Sequence, residues 1–314
     1  MDLRLRDDVV LISGASGGIG RATASLLAAE GARLALVAGR RRDELAAWVD
    51  GQSWSEQAAC LAADVADPGS VESAFVAAHE HFGRVDHAIV NAGIWPSADV
   101  PLVDLTDDRL RSVIDVCLLG AAWTARSFLR GLRDVGYGRT QPTLTFVGST
   151  AARFGEAGHA EYAAAKAGLR GLTLTLKNEI VALAPAGRVN LVEPGWTATE
   201  LVTDELDAPG NVSRAVATRA LAQVARASDI AQAIVMLTSP LSRHVTGEFL
   251  TVSGGMEGRL LRDPASVDED RIRAEARDDL HAAGRVAASG RRRRDRRTLR
   301  ERARTWWCRP PRRS

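Results

Sequence analysis

Residues 9–22, VVLISGASGGIGRA, join a short apolar run to a glycine-rich turn and then to a helix-like stretch. The apolar run predicts a buried strand. Gly14, Gly18 and Gly20 would leave backbone N–H groups free at a helix N-terminus, where the helix dipole favours an anion. The turn therefore predicts a pyrophosphate cradle, although its spacing is G-x-x-x-G-x-G instead of G-x-G-x-x-G. A tight turn with close helix packing and no ligand is the alternative.

The same alternation of apolar runs and helix-length stretches continues to about residue 256. Further runs that read as strands are 33–38, 59–64, 87–93, 143–149, 188–195 and 249–255, and the stretches between them that read as helices are 18–30, 69–82, 107–134, 159–184 and 228–238. Strands separated by helices predict βαβ units and a parallel sheet covered on both faces. We therefore expect an α/β doubly wound (Rossmann) sheet in a single domain, with ligands at the carboxyl ends of its strands.

Composition narrows the class of protein. The 314 residues are 46% hydrophobic, which is enough for a sizeable core. No apolar run approaches the roughly 18 residues of a membrane span, and the charged start does not resemble a signal peptide, so a cytoplasmic protein without membrane contact is expected. The three cysteines, Cys60, Cys117 and Cys308, form no CxxC motif or His/Cys cluster. We predict neither a disulfide framework nor a metal site.

Charge divides the chain near Met256. Residues 257–314 carry a net charge of +8, which leaves −6 on residues 1–256. We predict one domain over 1–256 and an Arg-rich tail over 257–314 that is mostly disordered, with a helical patch around 264–283. Residues 285–314 combine 13 Arg with two tryptophans, which leaves binding of nucleic acid or an anionic surface as an alternative function. A solvated appendage is the favoured interpretation, and a nucleic-acid partner is not expected.

The loop after the second strand favours one type of cofactor. An NAD-binding fold would place an acid about 20 residues after the glycine turn to hold the ribose 2′-hydroxyl. This chain has Gly39, Arg40 and Arg41 instead, and guanidinium groups suit a 2′-phosphate. We expect NADP(H) in preference to NAD(H), with Arg40 the first choice. Asp64, after the third strand, is predicted to contact the adenine or to cap its own loop.

Tyr162 and Lys166 form the most informative pair. The chain has two tyrosines and two lysines, yet one of each lies at i and i+4, on one face of a helix. A nearby cation would lower the pKa of the phenol toward the range of a general acid or base. Ser149 ends a predicted strand thirteen residues earlier, where its hydroxyl can hold a carbonyl oxygen.

Taken together, these residues resemble the classical short-chain dehydrogenase/reductase family over about residues 7–256. The resemblance rests on the glycine turn, on Asn91, Ala92 and Gly93 after the fourth strand, on Ser149, Tyr162 and Lys166, and on Pro194, Gly195 and Thr199 after the sixth strand. It implies hydride transfer between a nicotinamide and a ketone or secondary alcohol, with Ser149, Tyr162 and Lys166 catalytic, in a homo-oligomer, a tetramer or dimer. The implied cofactor-binding residues also include Ser16, Ile19 and Thr197.

Cys117 departs from the family pattern. It stands in "VCLLG", where the family's "VNLxG" has an asparagine that joins a proton relay. A thiol is a poor hydrogen-bond partner, so that role cannot be carried over. A catalytically weak redox sensor that kept the fold is therefore the second candidate function.

The substrate lid is predicted over residues 196–226, because this segment follows the turn that contacts the nicotinamide and has a Gly/Pro-containing middle. Trp95, Trp196, Leu201, Val202 and Leu206 are expected to form apolar walls, with Glu200, Asp204 and Glu205 at the rim. These walls favour a hydrophobic, ring-bearing or acyl-carrier-linked ketone.

Overall fold

The computed structural model describes residues 2–138, 141–202 and 206–282. Its strands are β1 Val9–Ser13, β2 Arg33–Ala38, β3 Ala58–Ala62, β4 His87–Val90, β5 Thr143–Val147, β6 Arg188–Pro194, β7 Thr197–Ala198, β8 Ala225–Arg226 and β9 Phe249–Val252. Its helices are α1 Gly18–Ala29, α2 Arg42–Asp50, α3 Pro68–Phe82, α4 Asp107–Ile114, α5 Gly120–Asp134, α6 Ala151–Phe154, α7 Ala160–Leu183, α8 Asn211–Ala217, α9 Ala227–Thr238 and α10 Glu269–Ala282.

Seven strands form one parallel sheet in the order β3-β2-β1-β4-β5-β6-β9. The predicted doubly wound α/β fold is thereby confirmed. The chain winds outward in opposite directions from β1 and β4, which pair with Val10 opposite His87. The carboxyl ends of these two strands therefore border the crevice in which this architecture binds ligands.

Burial on both faces explains why β1 reads as a continuous apolar run. Val9 and Leu11 join the core that lies under α3, α5 and α7. Val10 and Ile12 point to the other face and join the core under α1 and α9. Successive side chains of a strand alternate between faces, so a strand covered on both sides needs apolar residues throughout.

The long helix predicted over 107–134 is interrupted. A π-helical turn, Asp115–Leu119, separates α4 from α5. In the described part of the chain, Asp107–Asp134 is the one helical run long and apolar enough to cross a membrane by length and composition. Its apolar side packs within the fold, however, where Ala125 and Phe128 belong to the core beside the sheet.

The predicted lid and the start of the tail pack against each other. Leu206, Val212 and Val216 of the lid form an apolar cluster with Ile272 and Ala276 of α10. The predicted helical patch of the tail is thus present as α10. The rest of the tail for which disorder is predicted, residues 283–314, lies outside the described residues, as do Asp204 and Glu205 of the predicted rim.

A partly buried carboxylate connects α10 to the predicted lid segment. Glu269 accepts hydrogen bonds from the backbone and hydroxyl of Ser213, from the Gly210 amide and from Arg273. Although desolvation acts to raise it, these hydrogen bonds lower the pKa of Glu269 to about 2. Helix α10 is therefore connected by hydrogen bonds to Gly210 and Ser213 of the predicted lid segment.

Candidate active site

A cleft of about 1790 Å³ opens at the carboxyl ends of the strands. All but one of the predicted site residues line it, namely Gly14, Ser16, Gly18, Ile19, Arg40, Arg41, Asp64, Asn91, Ala92, Gly93, Ser149, Tyr162, Lys166, Pro194, Gly195, Thr197 and Thr199. The exception is Gly20. It lies behind the turn, where an added Cβ would stand 2.5 Å from the Gly14 carbonyl oxygen. Gly20 therefore permits close packing of α1 on the turn and does not face the cleft.

The glycine turn has the shape of an anion cradle. Gly14 has a φ of +66°, and an added Cβ would lie 2.7 Å from the Cα of Ala92. The N-cap of α1, Gly17, provides no side-chain hydrogen bond, and the first turn of α1 carries no acid. The amide groups at this helix end are thus uncapped by side chains and face a cleft that a pyrophosphate would fit.

Asn91 ties the end of β4 to the glycine turn. Its side-chain amide donates to the carbonyl oxygens of Ser13, at 3.3 Å, and Gly14, at 3.0 Å. The Ser13 hydroxyl in turn accepts from the amides of Asn91 and Ala92. Sequence reasoning missed Ser13, whose contacts keep these two strand ends together.

The two loop arginines differ in their contacts. Arg41 forms ion pairs with Glu200 of the lid, at 3.0 Å, and with Glu44, at 3.8 Å. Arg40 is exposed and forms no ion pair within the described part of the chain. Asp64 lines the cleft, and its carboxylate accepts from the Ala66 amide at 3.0 Å, which is the loop-capping role considered for it.

Ser149, Tyr162 and Lys166 meet in the cleft. The Ser149 side chain hydrogen-bonds Tyr162 and also accepts from the Ala151 amide at 3.1 Å. Lys166 Nζ lies 5.7 Å from the centre of the Tyr162 ring and donates to the Val147 carbonyl oxygen at 2.8 Å. The helix α7 thus brings the phenol and the ammonium to the end of β5, where Ser149 follows.

The expected lowering of the Tyr162 pKa is not found in this structure. Burial raises the pKa of Tyr162, and the hydrogen bond with Ser149 only partly opposes that effect. Burial also lowers the pKa of Lys166. The prediction considered the charge of the lysine and overlooked the loss of water around both groups, which here has the larger effect.

The buried thiol of Cys117 contacts the backbone of Ile94. Its Sγ accepts from the Ile94 amide at 3.4 Å and lies 3.6 Å from the Ile94 carbonyl oxygen. A Cβ added at Gly93 would lie 3.4 Å from Lys166 Nζ and 3.7 Å from this sulfur. The Cys117 sulfur and the Lys166 ammonium thus both border Gly93. The complete burial of Cys117 is unlike a redox-reactive cysteine.

An aromatic stack that sequence reasoning missed supports Tyr162. Trp95 stacks on the His159 ring with centroids 3.8 Å apart, and it meets the Tyr162 ring edge-on at 4.9 Å. His159 is buried and its Nε2 lies 2.9 Å from the Pro96 carbonyl oxygen. Trp95 lines the cleft, as expected of a substrate wall.

The lid contributes fewer apolar walls than expected. Trp196 and Val202 line the cleft. Leu206 is instead buried in the cluster with α10, so its assignment as a wall is wrong. The sequence offered no sign that the tail would supply a partner for this leucine.

Comparisons with known proteins agree with this geometry. A family model described as enoyl-(acyl carrier protein) reductase matches residues 14–257. The 3-oxoacyl-[acyl-carrier-protein] reductase FabG of Vibrio cholerae is 34% identical over 257 residues, which cover 81% of this chain and 99% of that protein. Cis-4-hydroxycyclohexanecarboxylate dehydrogenase of Sinomonas cyclohexanicum is 35% identical, covering 79% of this chain and 95% of that protein.

A solved structure of a short-chain dehydrogenase/reductase also matches this fold. The short-chain dehydrogenase/reductase (glucose/ribitol dehydrogenase) of Brucella melitensis superposes with a TM-score of 0.73 at 30% identity, over 82% of this chain and 99% of that one. The relatives thus match about four-fifths of this chain and nearly the whole of their own length. The chain belongs to the short-chain dehydrogenase/reductase family, whose members are NAD(P)-dependent oxidoreductases.

Proposed function

We propose that the protein is an NADP(H)-dependent ketoreductase in which Ser149, Tyr162 and Lys166 are the catalytic residues. The observation that carries this proposal is that these three side chains share one cleft with the glycine cradle and Arg40. A cytoplasmic homo-oligomer, a tetramer or dimer, is proposed with it on the family resemblance alone.

Each part of a dinucleotide can be assigned to a group of residues along the cleft. The turn of Gly14, Ser16, Gly18 and Ile19 would hold the phosphates, and Arg40 with Arg41 would hold the 2′-phosphate. Asn91 to Gly93 would border the ribose, and Pro194, Gly195, Thr197 and Thr199 would contact the nicotinamide. When bound, the nicotinamide supplies the hydride.

Side chains of the protein bind and protonate the ketone oxygen of the substrate. The hydroxyls of Ser149 and Tyr162 hold the ketone oxygen, and Tyr162 donates its proton to that oxygen as negative charge develops there. Lys166 stabilises the resulting phenolate. Because burial raises the pKa of Tyr162, the phenol remains protonated at neutral pH, which suits the general acid of a reduction.

The two reaction directions should differ in pH dependence. Ketone reduction needs the phenol, whereas alcohol oxidation needs the phenolate, and the raised pKa keeps the phenolate scarce. We therefore expect kcat/KM for reduction to stay flat from about pH 6 to pH 9, while kcat/KM for oxidation rises about tenfold per pH unit. Measuring both profiles in one set of buffers tests this. An oxidation profile that levels off below about pH 8 would contradict a raised Tyr162 pKa.

Arg40 should determine the cofactor preference. The Arg40→Ala variant is expected to bind NADPH about 10- to 100-fold more weakly and NADH almost unchanged, because only NADPH carries the 2′-phosphate. Nicotinamide fluorescence titration measures both dissociation constants. Arg42→Ala is the matched control, since Arg42 is exposed, pairs with Asp43 and does not line the cleft. If Arg40→Ala weakened the binding of NADPH and NADH equally, Arg40 would have no role in the cofactor preference.

The substrate class is tested with a small panel of ketones under NADPH. The relatives are named for acyl-carrier-linked 3-oxoacyl groups and for a cyclohexane ring that bears a carboxylate. We therefore propose acetoacetyl thioesters, 4-oxocyclohexanecarboxylate and its methyl ester as first substrates. NADPH oxidation that requires one of these ketones supports the proposal, whereas tight NADPH binding without turnover of any of them supports the redox-sensor alternative.

A further inference from the structure

Arg219 brings a buried positive charge to the wall of the cleft on the lid side. It follows α8, and its backbone pairs antiparallel with Met256. Arg219 is 3% exposed, and it lines the cleft together with Thr218 and Met256. This cation lies outside the predicted cofactor-binding set.

The guanidinium of Arg219 lacks a strong partner in the described part of the chain. It forms no ion pair there, and its one hydrogen bond, from Nη1 to the Trp196 carbonyl oxygen, is 3.5 Å long, at the limit for such a bond. Its Nε is buried and has no hydrogen-bond partner among the residues that the structure describes. Burial lowers the pKa of Arg219 to about 10, so the group stays cationic at neutral pH.

Arg188 provides a comparison within the same chain. It is also buried and pairs with no carboxylate in the described ranges, and burial lowers its pKa to about 10. Its two terminal nitrogens, however, donate to four backbone carbonyl oxygens and one serine hydroxyl. The Nε of Arg188 is, like that of Arg219, buried without a partner among the described residues. The two arginines therefore differ in their terminal nitrogens, which are well paired in Arg188 and form only one long hydrogen bond in Arg219.

A buried charge without a partner is costly, and folded proteins rarely keep one away from a functional site. An anion in the cleft would offset that cost, and the planar guanidinium can bind a carboxylate through two parallel hydrogen bonds. The other basic groups of the cleft have other tasks or contacts. Lys166 serves Tyr162, Arg40 and Arg41 lie at the adenosine end, and Arg214 is exposed and hydrogen-bonds Asn211.

We propose that the substrate is a keto acid whose carboxylate is bound by Arg219 while its ketone is held by Ser149 and Tyr162. This inference rests on the proposed ketoreductase function and narrows it. Arg219 of the lid segment would then determine substrate specificity, because it binds a carboxylate that is remote from the reacting carbonyl. A neutral ketone of the same shape lacks that interaction.

The kinetic test compares 4-oxocyclohexanecarboxylate with its methyl ester in the wild type and in the Arg219→Met variant. We expect the variant to raise KM for the acid about 10- to 100-fold and KM for the ester less than about threefold, with Arg219→Lys partly restoring the acid. Arg243→Met, a charge removal outside the cleft, should leave both unchanged. An equal change for acid and ester, or a weaker affinity for NADPH as the main effect, would overturn the inference.

A binding test separates this inference from the proposed function. Calorimetry should show that cyclohexanecarboxylate, which has no ketone, binds the wild type but not Arg219→Met. If this holds while no ketone is reduced, the ketoreductase proposal fails and the anion site stands. Absence of Arg219-dependent binding would reject the site even if ketones are reduced.

Thermal stability distinguishes a binding role from a structural one. Arg219→Met should leave the melting temperature unchanged or raise it, because it removes an uncompensated buried charge. Arg188→Met should lower the melting temperature, since it leaves several buried carbonyl groups without a donor. A similar loss of stability in both variants would identify Arg219 as structural and overturn the inference.

Discussion

Replacement of Tyr162 by phenylalanine is expected to lower kcat for ketone reduction by about 10³-fold or more, because a positioned general acid contributes roughly 10² to 10⁴. The change deletes only the hydroxyl, and the ring can keep its edge-on contact with Trp95. Dissociation constants for NADPH should therefore change by less than about threefold, as the dinucleotide keeps its glycine turn and Arg40. Steady-state kinetics and fluorescence titration measure the two quantities.

Tyr137 provides the control for this change. It is the other tyrosine of the chain, is 39% exposed and does not line the cleft. Tyr137→Phe should retain full activity. If Tyr162→Phe kept more than about a tenth of the wild-type kcat, the proton would have to come from another donor and the assigned role of Tyr162 would be wrong.

Replacement of Gly14 by alanine should damage both the fold and the cofactor site. The left-handed φ costs an alanine about 1–2 kcal/mol. In addition, the new Cβ would lie 2.7 Å from the Cα of Ala92, which is backbone and cannot rotate away. Separating the ends of β1 and β4 would disturb the cradle, so we expect a lower melting temperature and a loss of measurable NADPH binding.

Gly83 is the matched control for Gly14. It has a φ of +82° at the end of α3, and an added Cβ would meet nothing within 4 Å. Gly83→Ala therefore carries the backbone strain without the clash, and it should lose about 1–2 kcal/mol of stability with NADPH affinity intact. Equal stability losses and intact NADPH binding in both variants would show that the close approach at Gly14 is unimportant.

The sequence predicts the fold because its signals are local. Each strand covered on both faces appears as an apolar run, and each turn after a strand places its polar residues at one edge of the sheet. Residues as distant as Gly14 and Tyr162 could therefore be assigned to one cleft. The break in the helix over 107–134 was not predictable in the same way, since a π-helical turn has no comparable pattern.

The missed features depend on contacts between distant segments. Glu161, beside Tyr162, is buried in an ion pair with Arg109 at 2.7 Å. Arg41 pairs with Glu200, which is 159 residues away. Nothing near either arginine indicates its partner, and for Arg219 the lack of a partner is visible only after folding. The Tyr162 pKa was mispredicted for the same reason, because burial is a property of the assembled cleft.

In the reaction that we propose, a hydride moves from the nicotinamide to a ketone carbon in this cleft. The test uses NADPH with both C4 hydrogens of the nicotinamide replaced by deuterium, together with 4-oxocyclohexanecarboxylate or an acetoacetyl thioester, followed by mass spectrometry of the product. With the wild type we expect an alcohol that carries deuterium at the former carbonyl carbon, and with Tyr162→Phe we expect almost no alcohol. An alcohol without deuterium, or no alcohol from any ketone despite tight NADPH binding, would contradict this proposal.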